Sequence, residues 1–156
     1  MARVESSILI DAAPGAIRSL TDDLASCAEH TGGRLSMALQ DKVVVTGSTI
    51  KGTLDLGDKP IAFTAQVSEA GIERLAWAAT ESPIALSGEI AAKQVPEGTR
   101  LVFSLETGPI GGMPGSRAER EAIRRLQDLT NDYVNGIRNA IAAAPIDLAA
   151  EERIEA

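Results

Sequence analysis

A chain of 156 residues, 44% hydrophobic and 24% charged, has the size and composition of one folded domain. Its net charge of −7 excludes the basic face that nucleic-acid binding needs, and disfavours electrostatic docking on anionic lipid. The lone Cys27 rules out an internal disulfide, no apolar run reaches membrane-spanning length, and MARVESS lacks the basic start and apolar core of a signal peptide, so a cytoplasmic protein is expected.

The chain opens with an alternating stretch from Val4 to Ala12, which predicts a strand. GAIRSLTDDL then predicts a short helix, with Asp11 as a possible N-cap and Pro14 in the first turn. LASCAEHTGG predicts a second short helix that stops at Gly32-Gly33. Candidate strands follow at Arg34 to Gln40 and Lys42 to Leu56, the longer one with Gly47 and Gly52 as bends or bulges. In the next four, apolar residues share a face: Ile61, Phe63, Ala65 and Val67; Leu75, Trp77 and Ala79; Ile84, Leu86 and Ile90; Leu101, Phe103 and Leu105.

From Ser116 to Ala143 the pattern turns helical, with Leu126, Leu129, Tyr133, Val134, Ile137 and Ile141 on one stripe. Ser116 and Glu119 match a capping box, and Arg124-Arg125 fall on the polar side. Pro145 is expected to stop the helix, which divides the chain into one domain over 1–144 and a loose or short helical tail over 145–156. A run of strands with helices set apart is the α+β pattern: a curved antiparallel sheet of about seven strands around a long C-terminal helix. Only four residues are aromatic, so the core is built largely from Ile, Leu, Val and Ala. It is either close-packed or leaves an internal cavity.

The quoted segments IDAAPGAI, GSTIKGTLDL, KPIAFTAQVSEA, ERLAWAATESPIALSGEI and EGTRLVFSLETG, with the closing helix, carry a resemblance over residues 3 to 143. In order and spacing the chain resembles the helix-grip (SRPBCC) superfamily of START-related lipid carriers, Bet v 1-like proteins and polyketide cyclases. It is most similar to the bacterial polyketide cyclase/dehydrase-like branch. A weaker likeness runs to the carbon-monoxide-dehydrogenase-subunit-G type and to quinone-binding relatives. The resemblance implies a cavity between sheet and long helix that takes an apolar ligand. Many members place an aromatic after the second short helix, where this chain has EHTGGRL.

The glycine-rich segment GPIGGMPGS, Gly108 to Ser116, lies between a strand and a helix as phosphate loops do. It lacks the lysine of GxxxxGK[ST], and its strand belongs to an antiparallel sheet. It is expected to be either a plain connector or a lid of Ile110, Gly111 and Gly112 at a cavity mouth, with Met113 offering apolar contact. His30 is the only histidine, and with Tyr133 it is the weak catalytic candidate. Cys27 and His30, spaced i, i+3, are too few for a metal site, so neither metal nor cofactor is expected. Trp77 either packs in the core or stacks on a ring-shaped ligand.

The expected function is a binding protein or carrier for a hydrophobic small molecule: a lipid, a polyketide-like aromatic or an isoprenoid quinone. The expected lining is Ile50, Phe63, Val67, Trp77, Leu86, Phe103, Met113, Leu126 and Tyr133. The alternatives are a cyclase or aromatase using the same cavity, and an interaction protein with a filled core. Transient membrane contact, and a monomer or homodimer, are compatible with all three.

Overall fold

In the computed structural model, residues 2–57, 59–110 and 113–155 are described, with side chains through residue 143. The chain runs β1 (Ala2–Ile10), α1 (Pro14–Thr21), a 3₁₀ turn (Leu24–Ser26) leading into α2 (Cys27–His30), β2 (Leu35–Leu39), β3 (Thr49–Leu54), β4 (Ile61–Ala70), β5 (Arg74–Glu81), β6 (Leu86–Val95), β7 (Gly98–Thr107) and α3 (Arg117–Glu155). The strands form one antiparallel sheet in the order β1-β7-β6-β5-β4-β3-β2. Strands β2 to β7 make a simple meander, and β1 closes against the last of them. The α1–α2 segment therefore carries the chain from one sheet edge to the other.

The expected α+β helix-grip architecture is present. Alternation sends Val4, Ile50, Leu54, Phe63, Val67, Leu75, Trp77, Ile90, Leu101 and Phe103 to one face, where they are buried. The opposite face carries Arg3–Glu106 and Arg74–Glu89 ion pairs. One continuous apolar cluster joins the inner face to Leu126, Leu129, Tyr133, Val134 and Ile137 of α3. Helix α3 packs against β1, β7, α1 and α2.

The contact with β1 is polar as well as apolar. Ser6 Oγ lies 2.7 Å from Thr130 Oγ1, and Gln127 Nε2 donates to Ser6 Oγ at 2.9 Å and to the Glu5 carbonyl at 3.0 Å. These bonds fix where α3 lies along the first strand.

Three local expectations are corrected. The 42–56 stretch is not one strand: β3 begins at Thr49. Before it, the Ser48 hydroxyl donates to the Val43 carbonyl and accepts from the Val45 amide, and Gly47 takes φ +94°, so local bonds replace the ladder. Asp11 does not cap α1. The N-cap is Ala13, which makes no side-chain bond, and Pro14 starts the helix with its fixed φ. The capping box forms by half: Glu119 N donates to Ser116 Oγ at 3.1 Å, while the Glu119 carboxylate accepts from Gly115 N at 2.8 Å. Ser116 N is already bonded to the Met113 carbonyl.

Arg124 lies on the solvated face with Glu121 and Asp128, as expected. Arg125 shares Glu121 with it, and its side chain is 41% exposed. It also donates to the Leu56 carbonyl and lies over Gly57, tying the β3–β4 connection to α3. Among the described residues no helix is long and apolar enough to cross a membrane.

Candidate ligand site between the sheet and the long helix

At two inner-face positions of the sheet the residue is glycine. Gly52 stands opposite Phe63, and Gly88 opposite Trp77. A Cβ at Gly52 would lie 2.5 Å from Phe63 Cζ. One at Gly88 would lie 2.4 Å from Trp77 Cζ2 and 2.9 Å from Nε1. Each large ring therefore lies against its cross-strand glycine. The two rings are parallel within 6°, with centroids 5.6 Å apart. From the helix side, Tyr133 tilts 48° against Phe103 at 4.6 Å, an ordinary aromatic packing distance. His30 meets the Tyr133 ring edge-on at 5.8 Å and sits in a notch that Gly136 opens in α3.

The interior is electrically neutral. Among the described residues the buried polar side chains are Ser and Thr alone, with no Asp, Glu, Lys, Arg or His. Burial pushes the Cys27 thiol from its ordinary value of 9.0 up to about 12. Burial also raises the Tyr133 phenol well above its usual value, helped by Cys27, Asp22 and Asp23 nearby. Among the described residues, two buried side-chain polar atoms have no hydrogen-bond partner within the protein: Trp77 Nε1 and Thr107 Oγ1. Both residues belong to the inner-face set and both are 1% exposed. Folded proteins pair nearly all such groups, and an unpaired donor in an apolar interior costs ~1–3 kcal/mol.

Eight of the nine residues expected to line a cavity are buried in one cluster: Ile50, Phe63, Val67, Trp77, Leu86, Phe103, Leu126 and Tyr133. They are packed side chain on side chain. Met113 is a correction: it is 79% exposed, because it opens the turn that leads into α3 and its carbonyl is held by Ser116 N. Ile110 is buried in the same cluster. Gly111 and Gly112, the other two residues of the expected lid, lie outside the described residues.

The two catalytic candidates part company. Tyr133 is interior, while His30 is half-buried at an open cleft of about 540 Å³ shared with Glu29, Asp132, Asn135 and Asn139. No group of three metal-ligating side chains occurs among the described residues. The stacking role weighed for Trp77 gives way to packing, since Phe63 stacks on the indole and Gly88 lies against it. The indole N–H, buried beside Gly88, has no hydrogen-bond partner among the described residues. Sequence reasoning missed Thr107, although it continues the alternation Leu101, Phe103, Leu105 by one step.

No family model and no curated protein sequence matches the chain. Solved structures do. TTHA0849 from Thermus thermophilus is similar with a TM-score of 0.75 at 17% identity, covering 92% of this chain and 99% of that one. The Zhui aromatase/cyclase of a Streptomyces species is similar with a TM-score of 0.62 at 17% identity, covering 98% and 95%. A START superfamily protein from Mycobacterium smegmatis is similar with a TM-score of 0.66 at 10% identity, covering 90% and 97%. Identities this low carry the architecture and not the chemistry. The chain thus has the START-like helix-grip fold, a sheet curled about a long C-terminal helix, on which such aromatase/cyclases are also built.

Proposed function

We propose that this chain is a cytoplasmic binding protein for an apolar small molecule, held between the concave face of the sheet and α3. The observation that supports this most directly is the pair of unpartnered polar atoms, Trp77 Nε1 and Thr107 Oγ1, in an otherwise apolar interior. An unpaired buried donor or hydroxyl costs stability, and a ligand that paired it would recover that cost. A ligand site needs a few polar groups in an apolar lining, because area burial provides affinity and the polar groups fix orientation.

The neutral interior favours binding over proton-transfer catalysis. Acid–base work is most efficient with a pKa near the working pH, and the interior Cys27 and Tyr133 are both moved away from it. The ligand would occupy space among the inner-face side chains of β3 to β6, which belong to the same apolar cluster as the stripe of α3.

Native mass spectrometry of freshly purified protein, beside a denatured extract of the same sample, tests the proposal. A co-purifying small molecule of apolar class, lost on denaturation, is the expected result. A bare protein mass, together with no thermal shift across lipids, polyketide-like aromatics and quinones, would reject it.

A further inference from the structure

The unpaired groups say more than that a ligand binds; they say of what chemistry. We infer that the ligand is neutral and carries a hydrogen-bond acceptor, a carbonyl or ether oxygen, that receives the N–H of Trp77. This rests on the binding function proposed above and narrows it.

Trp77 Nε1 can only donate, so whatever meets it must accept. The ring cannot serve as a free stacking platform, because Phe63 lies parallel to it and Gly88 lies against it. The indole is fixed on both counts, and its unpaired N–H is the polar group it offers to a ligand. Thr107, at the inner end of β7, is a second polar point that can donate or accept. A ligand oxygen is therefore required at Trp77, while either a donor or an acceptor is tolerated at Thr107.

Charge is decided by what surrounds these groups. Among the described residues no buried side chain bears a charge. A carboxylate or phosphate brought inside would lose its hydration and gain no counter-ion, a heavy cost in a low-dielectric interior. The chain's net charge of −7 adds repulsion at longer range. Free fatty acids and phosphate-bearing lipids are thus rejected inside, and ketones, quinones, chromones and sterol-like ketones are admitted.

Three probes of one skeleton separate the terms: 2-acetonaphthone, 2-isopropylnaphthalene and 2-naphthoate. They match in ring and bulk and differ in acceptor and charge. Binding is measured by titration calorimetry on the full-length protein at pH 7.5. The indole N–H is followed by ¹⁵N-resolved NMR, where Trp77 gives one resonance as the sole tryptophan. The ketone should bind about ten-fold or more tightly than the hydrocarbon, which leaves the donor unpaired. It should also move the indole N–H downfield, and the naphthoate should bind weakest of the three.

Trp77→Phe should retain hydrocarbon binding and remove the ketone's advantage. Should that variant fail to fold, the wild-type NMR titration decides the matter alone. Equal binding of ketone and hydrocarbon with an unmoved indole resonance would overturn the inference and leave the binding function standing. Naphthoate binding as well as the ketone would overturn neutrality. No binding by any of the three would overturn the inference, while the binding function would stand or fall on the native mass spectrometry above.

Discussion

Thr130 on α3 and Thr107 on β7 are buried to the same degree, 0% and 1% exposed, yet their hydroxyls are treated in opposite ways. Thr130 donates to the Gln127 carbonyl at 2.8 Å and lies 2.7 Å from Ser6, within a seam where Gln127 also bonds the first strand. The Thr107 hydroxyl and the indole N–H of Trp77 have no hydrogen-bond partner among the described residues. The β1–α3 seam is thus complete in itself. The interior between α3 and the middle of the sheet is complete in packing but not in polarity. That contrast separates a region whose polar groups are all paired from one that leaves two unpaired. Separating α3 from β1 breaks hydrogen bonds, and separating it from the β3–β4 connection breaks the bond from Arg125 to the Leu56 carbonyl.

The largest expected effect comes from removing the interior's biggest side chain. Trp77→Ala deletes a fully buried indole that Phe63 and Gly88 both contact, and should cost ~3–5 kcal/mol of unfolding free energy. Urea unfolding followed by circular dichroism measures it. A loss below ~1 kcal/mol would mean that the indole is not packed as described, and the contrast would fail on its apolar side.

Next in size is a pH effect from the thiol. Cys27 titrates at 9.0 when exposed and near 12 when buried. Below pH 9 both states keep the proton and the stabilisation is fully present. As pH rises from 9 to 12 the unfolded chain releases a proton that the folded chain retains, so stability falls, by ~4 kcal/mol if the whole range could be traversed. Tyr133, raised well above 10.0, adds a loss of the same sign at still higher pH. Urea midpoints from pH 8 to 11 should decline for the wild type and flatten through pH 9–10 for Cys27→Ala. Parallel slopes would show that Cys27 titrates alike in both states.

Much of this was legible in the residues. Period-two alternation located β4 to β7 and their inner faces, because each strand has one wet side and one dry side. Leu126, Tyr133 and Ile137 announced the stripe of α3 by their helical spacing. What could not be read was cross-strand partnership. Gly52 looked like a bend in its strand, but its role is set by Phe63 on the neighbouring strand, and the register was unknown. Gly88 and Trp77 hid for the same reason. Ser48 shows the opposite failure: valines 43 to 45 have strong strand propensity, and one hydroxyl bonding to both Val43 and Val45 outweighs it. The candidate site was visible as a set of apolar positions and not as chemistry. An unpaired N–H is a statement about what is missing around an atom, which no spacing of residues encodes.

The smallest effect is the most discriminating, because it compares the two threonines by the same substitution. Threonine and valine match in shape and differ little in helix or strand preference, so Thr→Val reports almost purely on the hydroxyl. Thr130→Val removes a hydroxyl bonded to Ser6 and to the Gln127 carbonyl and should cost ~1–3 kcal/mol. Thr107→Val removes a hydroxyl whose desolvation nothing offsets, so it should be neutral or stabilise by up to ~1 kcal/mol. Urea unfolding of the ligand-free protein at pH 7 gives both numbers. Equal losses would mean that the Thr107 hydroxyl has found a partner after all, and the distinction between seam and site would close. Opposite signs would mean that the folded chain tolerates an unpaired hydroxyl at residue 107 at a cost to its own stability. Such a cost persists in a protein when the group is used in another state, and under the proposed function that state is the one with the interior occupied.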